Sequence, residues 1–353
     1  MSQQSSQEVA ATKPMPMPTR TASGPVVLLG LFALTCLLRL PGLLSHPFCI
    51  DESYYAAGAV ELNAGGAFYR DVVDHKSPGI YFIYALIYRV AGAYNQTAVH
   101  LVLILVATLT AYFVGLLAQE FFGARTGRWA GPLYAIASVI GPANDFQAAN
   151  TELFMNLPVV AALWLGARLW VRQRAERIEV AAMGLLVGAA ILIRPQAALA
   201  LLPIGVALWR RKVGWLNLAT VALAAALPTV ALVVSVYRAD AIADLRSSLS
   251  YASYYTNCLP LEVKMANASL KTLFFVAINV GLVIPVTMLL AQGRKSDPVW
   301  RHGAGCLLVS WLLASFVAVS AGGRFYPHYF IQVLPPLVVM AARQITLWRE
   351  EAG

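Results

Sequence analysis

Two adjacent carboxylates, Asp51 and Glu52, and a compact polar knot, Asp74-His75-Lys76, share one stretch between hydrophobic segments of a 353-residue chain. A carboxylate partly desolvated at a membrane surface is raised toward the range of a useful general base, and a lysine supplies a point charge for phosphate. Farther on, Glu152 opens an apolar run and Arg194 precedes Pro195. The stretch Arg324-Phe325-Tyr326-Pro327-His328-Tyr329 then compresses cation, rings and histidine onto one helix start. Cations at a helix N-terminus suit a phosphate. A base facing cations is the equipment for transfer with a phosphate leaving group.

Every one of these residues also has a plainer explanation. Asp51 fits a helix N-cap, with Glu52 in the favourable first turn. Asn150 could cap the helix that carries Glu152, and Asp145, in the preceding turn, is a weaker candidate still. Asp74, His75 and Lys76 precede SPGIYFIYALIYRV, which reads as an interfacial helix with tyrosines at the headgroups and a snorkelling lysine. Arg194 could snorkel, and residues 324–329 could form an aromatic belt around a buried histidine. On residue type alone both accounts stand.

The positioning elements are membrane helices. Composition is 59% hydrophobic and only 12% charged, against about 25% charged in globular proteins. Repeated apolar runs of about 20 residues match a hydrocarbon core of roughly 30 Å. Ten spans are expected, at 25–44, 96–118, 129–145, 150–171, 180–194, 196–209, 215–237, 270–292, 302–321 and 328–347. The stretch 180–209 is either one crossing or a hairpin turning at Arg194-Pro195. With a hairpin, 16 of the 26 Lys and Arg fall on the side of the N-terminal tail, whereas a single crossing divides them evenly. The positive-inside rule and the prolines favour the hairpin.

On this topology both termini are cytoplasmic, with tails at 1–24, expected to be disordered, and at 348–353. The first apolar run is expected to be an uncleaved anchor. The outer loops are 45–95 and 238–269, and all the polar residues above face that side. Ionisable groups converging at one membrane level form a functional-site candidate by default. The net charge of +9 is then a matter of topology, and no nucleic-acid partner is implied.

No CxxC, HExxH, GxSxG, Walker or dinucleotide-binding motif occurs, so nucleotide chemistry and a zinc protease are unsupported. The acidic pair allows a divalent metal without requiring one, and no other cofactor is indicated. Cys49 and Cys258 both fall outside, where an oxidising compartment would let them bridge the two outer loops.

The stretches DESYYAAGAVEL, RDVVDHKSPGIYFIYAL and GGRFYPHYFIQVLPP together resemble the polytopic C-type (GT-C) glycosyltransferases. The likeness is to bacterial relatives of the dolichyl-phosphate-mannose protein mannosyltransferases and the lipid A aminoarabinose transferases, over most of residues 25–347. The resemblance implies an all-α inner-membrane enzyme that moves one sugar, with inversion, from a polyprenyl-phosphate donor to a lipid, glycan or protein acceptor at the outer face. Asp51, paired with Glu52, matches the catalytic carboxylate, and Lys76 the cation on the donor phosphate. His75, Arg324 and His328 follow as donor-phosphate candidates; Asp74, Glu152, Arg194 and Tyr326 are accessory. The chain departs from many relatives in having Ser-Pro after Lys76, and no soluble outer domain is expected in it. Rival readings are a secondary transporter, expected to have broken helices in two related halves, and a non-catalytic subunit handling lipid-linked sugars.

Overall fold

A computed structural model describes residues 24–46, 49–172, 174 and 176–352. The tail expected at 1–24 lies outside these, apart from Gly24. The described chain is all-α, with a single isolated bridge between Phe68 and Val72. In order the helices are α1 Gly24–Ser45, α2 Ile50–Asn63, α3 Gly79–Ala91, α4 Gln96–Phe122, α5 Ala124–Ala137 and the short α6 Ala143–Phe146. They continue with α7 Thr151–Arg172, α8 Arg177–Ile193, α9 Leu201–Arg210, α10 Trp215–Arg238 and α11 Ile242–Asn257. The last four are α12 Leu261–Ile278, α13 Val280–Ser296, α14 Gly305–Ser320 and α15 Leu334–Glu351.

Among the described residues five helices (α1, α4, α7, α10 and the run Pro327–Glu351) are long and apolar enough to cross a membrane, or six if the bent pair α12 and α13 is one span. The ten spans read from the sequence are therefore not matched one helix to one span. The expected span 270–292 is broken: α12 and α13 meet at 95°. The break falls at Asn279, whose side-chain amide and backbone N–H both donate to the Phe275 carbonyl at 3.1 Å. The expected span 129–145 also stops early, at Ala137, before Gly141 and Pro142.

The hairpin at Arg194 is supported by how its flanks pack. A Cβ at Gly184 would meet the Val221 carbonyl at 2.5 Å, and one at Gly188 the Ala225 carbonyl at 2.5 Å. Residue numbers rise together along this seam, so α8 and α10 run parallel with backbones in close approach. The chain between them, the 3-10 turn Pro195–Ala200 and α9, must return to the starting level. Arg194 is therefore a turning point.

Buried polar side chains tie the ends on the Arg194 side. Arg39, the charge interrupting the first apolar run, donates to the Phe146 carbonyl and to the Ser138 carbonyl and hydroxyl, each at 3.2 Å. It thereby fixes the turn carrying α6. Asn156 of α7 donates to the Ile331 carbonyl at 3.0 Å, anchoring the 3-10 segment Pro327–Val333. Each contact satisfies groups that would be costly unpaired in the bilayer.

Candidate active site

The candidate residues Lys76 and His328 converge with Asp51 at the N-terminal end of α2. This helix begins after Cys49, which acts as N-cap without a side-chain hydrogen bond, so Asp51 and Glu52 lie in the first turn. The capping account of Asp51 therefore does not hold. Its carboxylate accepts instead from Lys76, with Nζ 2.5 Å from Oδ1, while His328 Nε2 lies 3.9 Å from Oδ2. Asp51 is 28% exposed and Lys76 24%, so the pair opens to the exterior of the protein.

Lys76 is held by what surrounds it. Its ammonium donates to the Tyr55 hydroxyl at 3.2 Å and lies 4.9 Å from that ring's centroid. Asp74, two residues earlier, accepts from His75 Nδ1 at 2.9 Å and from the Tyr81 hydroxyl. Burial alone would raise the Asp74 carboxyl, but hydrogen bonds from His75 and Tyr81 and the nearby Lys76 charge outweigh it and hold it below the usual range. A close approach sets the knot's position: a Cβ at Gly79 would fall 2.5 Å from the Leu192 carbonyl. The start of α3 thus rests on the end of α8.

His328 is oriented from behind by Asp145, whose Oδ1 lies 2.5 Å from Nδ1. A carboxylate only accepts, so Nδ1 carries the proton and Nε2 is left facing Asp51. The Tyr326 ring stacks on His328 at 5.7 Å. Asp145, a weak candidate on sequence, is therefore joined to Asp51 through one imidazole. Its place depends on Arg39, some hundred residues away in the chain, which no local pattern reveals.

Glu52 and Glu152 occupy different settings from Asp51. Glu52 is buried, accepts from the Ala149 N–H at 2.6 Å and sits 3.2 Å from His100 Nε2. It borders a separate cavity of about 320 Å³ shared with His46, Cys49 and Tyr94. Glu152, fully buried, is ion-paired to Arg194 and accepts from the Thr151 hydroxyl at 2.9 Å. The Asn150 amide donates to the Asp145 carbonyl at 2.9 Å. Arg194 also covers the Tyr329 ring at 4.2 Å, and Tyr329 packs edge-on against His328 at 4.9 Å. The Glu152–Arg194 pair therefore underlies the histidine.

Arg324 turns toward α11. Its guanidinium lies 3.6 Å from the Tyr255 ring centroid and donates to the Tyr255 carbonyl at 3.1 Å. The His75 ring packs on the same tyrosine at 4.6 Å, so Tyr255 joins the two motifs. Lys271 of α12 donates to the Arg324 carbonyl at 2.7 Å and lies 5.1 Å from the Tyr326 ring. Neither Tyr255 nor Lys271 stood out in the sequence, because each lies in a helix of ordinary composition.

All four cysteines are free, so the Cys49–Cys258 bridge that the sequence left open is not formed here. Cys49 Sγ approaches Asn150 Oδ1 at 3.7 Å beneath α2, and burial pushes its thiol up to about 11. Cys258 sits exposed at the end of α11, accepting from Arg324 Nη2 at 3.4 Å. The two thiols are committed to different neighbours. Among the described residues no group of three or more His, Cys, Asp or Glu is disposed to hold a metal ion.

Residues 75–237 match the family model described as dolichyl-phosphate-mannose-protein mannosyltransferase. The fold matches ArnT from Cupriavidus metallidurans, solved bound to undecaprenyl phosphate, with a TM-score of 0.69 at 18% identity, covering 92% of this chain and 61% of that one. That family model covers just under half of the chain, and the likeness to ArnT is one of fold. A second structure, the apo oligosaccharyltransferase from Archaeoglobus fulgidus, matches with a TM-score of 0.62 at 14% identity, covering 93% of this chain and 51% of that one. The archaeal enzyme AglB from the same organism, with an inhibitory peptide and a dolichol-phosphate, matches at 0.55 with 12% identity over 93% and 50% of the respective chains. The chain thus spans about three fifths of ArnT and half of the archaeal oligosaccharyltransferase. No curated protein matches the chain significantly.

Proposed function

We propose that the protein transfers a single sugar from a polyprenyl-phosphate donor to an acceptor hydroxyl at the outer face of a bacterial inner membrane. The observation that carries this reading is one carboxylate, Asp51, held in an open cleft between Lys76 at 2.5 Å and His328 at 3.9 Å, within a GT-C fold. Asp51 takes the acceptor proton as the acceptor oxygen bonds to the anomeric carbon. The bond from that carbon to the phosphate oxygen breaks on the opposite side, so the configuration inverts. Lys76 stabilises the charge on the departing lipid phosphate, and His328 lies on the other side of Asp51.

The resting ion pair adds a step. Lys76 neutralises Asp51 until an anionic phosphate draws the ammonium away, which frees the carboxylate only when donor is bound. Arg324 and Lys271, on either side of Tyr326, extend the cationic rim for the remainder of the headgroup. Anchoring the donor in the membrane confines it beside these groups and lowers the cost of bringing the reactants together.

Incubating the purified protein with a panel of labelled lipid-phosphate sugars and acceptors tests the reading. Product with inverted anomeric configuration, lost in Asp51→Asn, is the expected result. Unchanged transfer in that variant removes Asp51 as base. Solute uptake into sealed vesicles without donor consumption would favour a transporter.

A further inference from the structure

At the end of the bundle remote from Asp51 lies a basic cavity of about 630 Å³ bordered by Arg125, Arg128, Trp129, Thr346, Arg349 and Glu350. Arg349 is separated from the start of α15, beside the His328 segment, by roughly 22 Å of helix. This cavity is therefore not part of the cleft described above. Arg349 stacks on the Trp129 ring at 4.5 Å, and the acid Glu350 faces Arg343 at 3.8 Å. The mouth consequently presents a net positive field with guanidinium groups suited to phosphate oxygens.

Arg128 also borders a second space of about 630 Å³, running between α1, α4 and α5 past Gly30, Leu34, Gly115, Leu116 and Gly131. Its walls are mostly apolar, and a Cβ at Gly30 would meet nothing within 4 Å. The neighbouring face of α1 carries exposed Val26, Leu29 and Phe32, the surface expected against acyl chains. A cationic mouth and an apolar trough thus meet at one arginine, in volumes typical of ligand sites.

We propose that this composite groove binds an anionic phospholipid of the leaflet opposite the transfer site. The phosphate would sit on Arg125, Arg128 and Arg349, and one acyl chain would lie in the trough against Gly30 and Leu34. Charge complementarity selects this occupant, since basic pockets between membrane helices hold anionic headgroups. Residues 1–23, which precede the trough, carry Lys13 and Arg20 against Glu8 alone, so they share the sign of the mouth. Such a lipid would clamp α1, and through Arg39 the turn bearing Asp145.

Native mass spectrometry of the full chain, exchanged into phosphatidylglycerol or phosphatidylcholine, provides the test. The expected result is one retained phosphatidylglycerol, at least tenfold over phosphatidylcholine. Retention should fall at least tenfold in Arg128→Ala/Arg349→Ala and, independently, in Gly30→Leu, which fills the trough without touching the arginines. A photoreactive phenylalanine analogue replacing Leu34 should crosslink to lipid. The proposal is overturned by equal retention of phosphatidylcholine or by undiminished binding in both variants. Complete competition by glycerol 3-phosphate, preferential retention of polyprenyl phosphate, or crosslinks to residues 1–23 or to a second copy would also overturn it. The readout is bound lipid, so it stands or falls separately from sugar transfer.

Discussion

Lys76 Nζ lies 2.5 Å from Asp51 Oδ1 while the same ammonium donates to Tyr55 and faces its ring, so carboxylate and cation are held as one ion pair. Removing either partner has a different consequence. Asp51→Asn keeps the shape but loses the proton acceptor, and transfer should fall by roughly 10²- to 10⁴-fold, the range of general-base contributions. Lys76→Ala leaves the carboxylate free but the phosphate poorly held. Its main effect should be a raised KM for the lipid donor, with partial rescue by Lys76→Arg. Steady-state kinetics with varied donor separates the two outcomes; equal loss of kcat and KM effects in both variants would contradict distinct roles.

The pairing of Asp145 with His328 Nδ1 at 2.5 Å predicts a positioning role for Asp145. Asp145→Asn can donate as well as accept, so it releases the constraint that leaves Nε2 facing Asp51. Loss of a hydrogen bond to a charged group, roughly 1.5–3 kcal/mol, corresponds to about a ten- to hundredfold drop in transfer. Asp145→Glu should recover part of it. A purely structural role would instead lower thermal stability in both variants equally and leave the transfer rate of the folded fraction unchanged.

Asp74 gives a pH dependence whose sign is fixed. Its folded carboxyl titrates below the usual value because the bonds from His75 and Tyr81 and the Lys76 charge outweigh burial. A depressed carboxyl contributes stability that is complete above the unfolded pKa of about 3.9 and is lost as pH falls through the folded value. Protease cleavage of the segment between α2 and α3 should therefore stay slow down to about pH 4 and accelerate in stronger acid. Asp74→Asn should show the faster cleavage already at neutral pH. A variant that matches the wild type throughout would show that the knot is held by other contacts.

Much of the site was legible because polar residues are rare in an apolar chain and their sidedness follows from charge. The convergence of Asp51, Lys76, Arg194 and His328 could be anticipated from topology alone. What sequence did not reveal was partner choice. Glu52 and Asp51 are neighbours in the chain, yet one is buried against Ala149 and His100 while the other meets Lys76, because successive helical residues point about 100° apart. Asp145 and Lys271 gain their roles through contacts made by Arg39 and Arg324 from distant segments. The span read at 270–292 did not reveal the bend at Asn279, since hydropathy does not register where a helix breaks.

The fully buried Glu152 and its partner Arg194 make the sharpest stability prediction. Arg194 also lies over Tyr329, which packs on His328, so disturbance here reaches the cleft. Glu152→Gln leaves a guanidinium without its counter-charge, and breaking such a pair from one side costs roughly 3–5 kcal/mol. Replacing both with apolar residues of similar volume, Glu152→Leu with Arg194→Met, removes both desolvation costs and is often neutral. The double variant should therefore unfold at a temperature near the wild type, well above either single variant. Transfer should not recover in parallel, because Tyr329 loses the cation above its ring. If the double variant regained full transfer together with stability, the pair would be a packing element with no bearing on the cleft. If the single variants were as stable as the wild type, the buried ion pair itself would be in error.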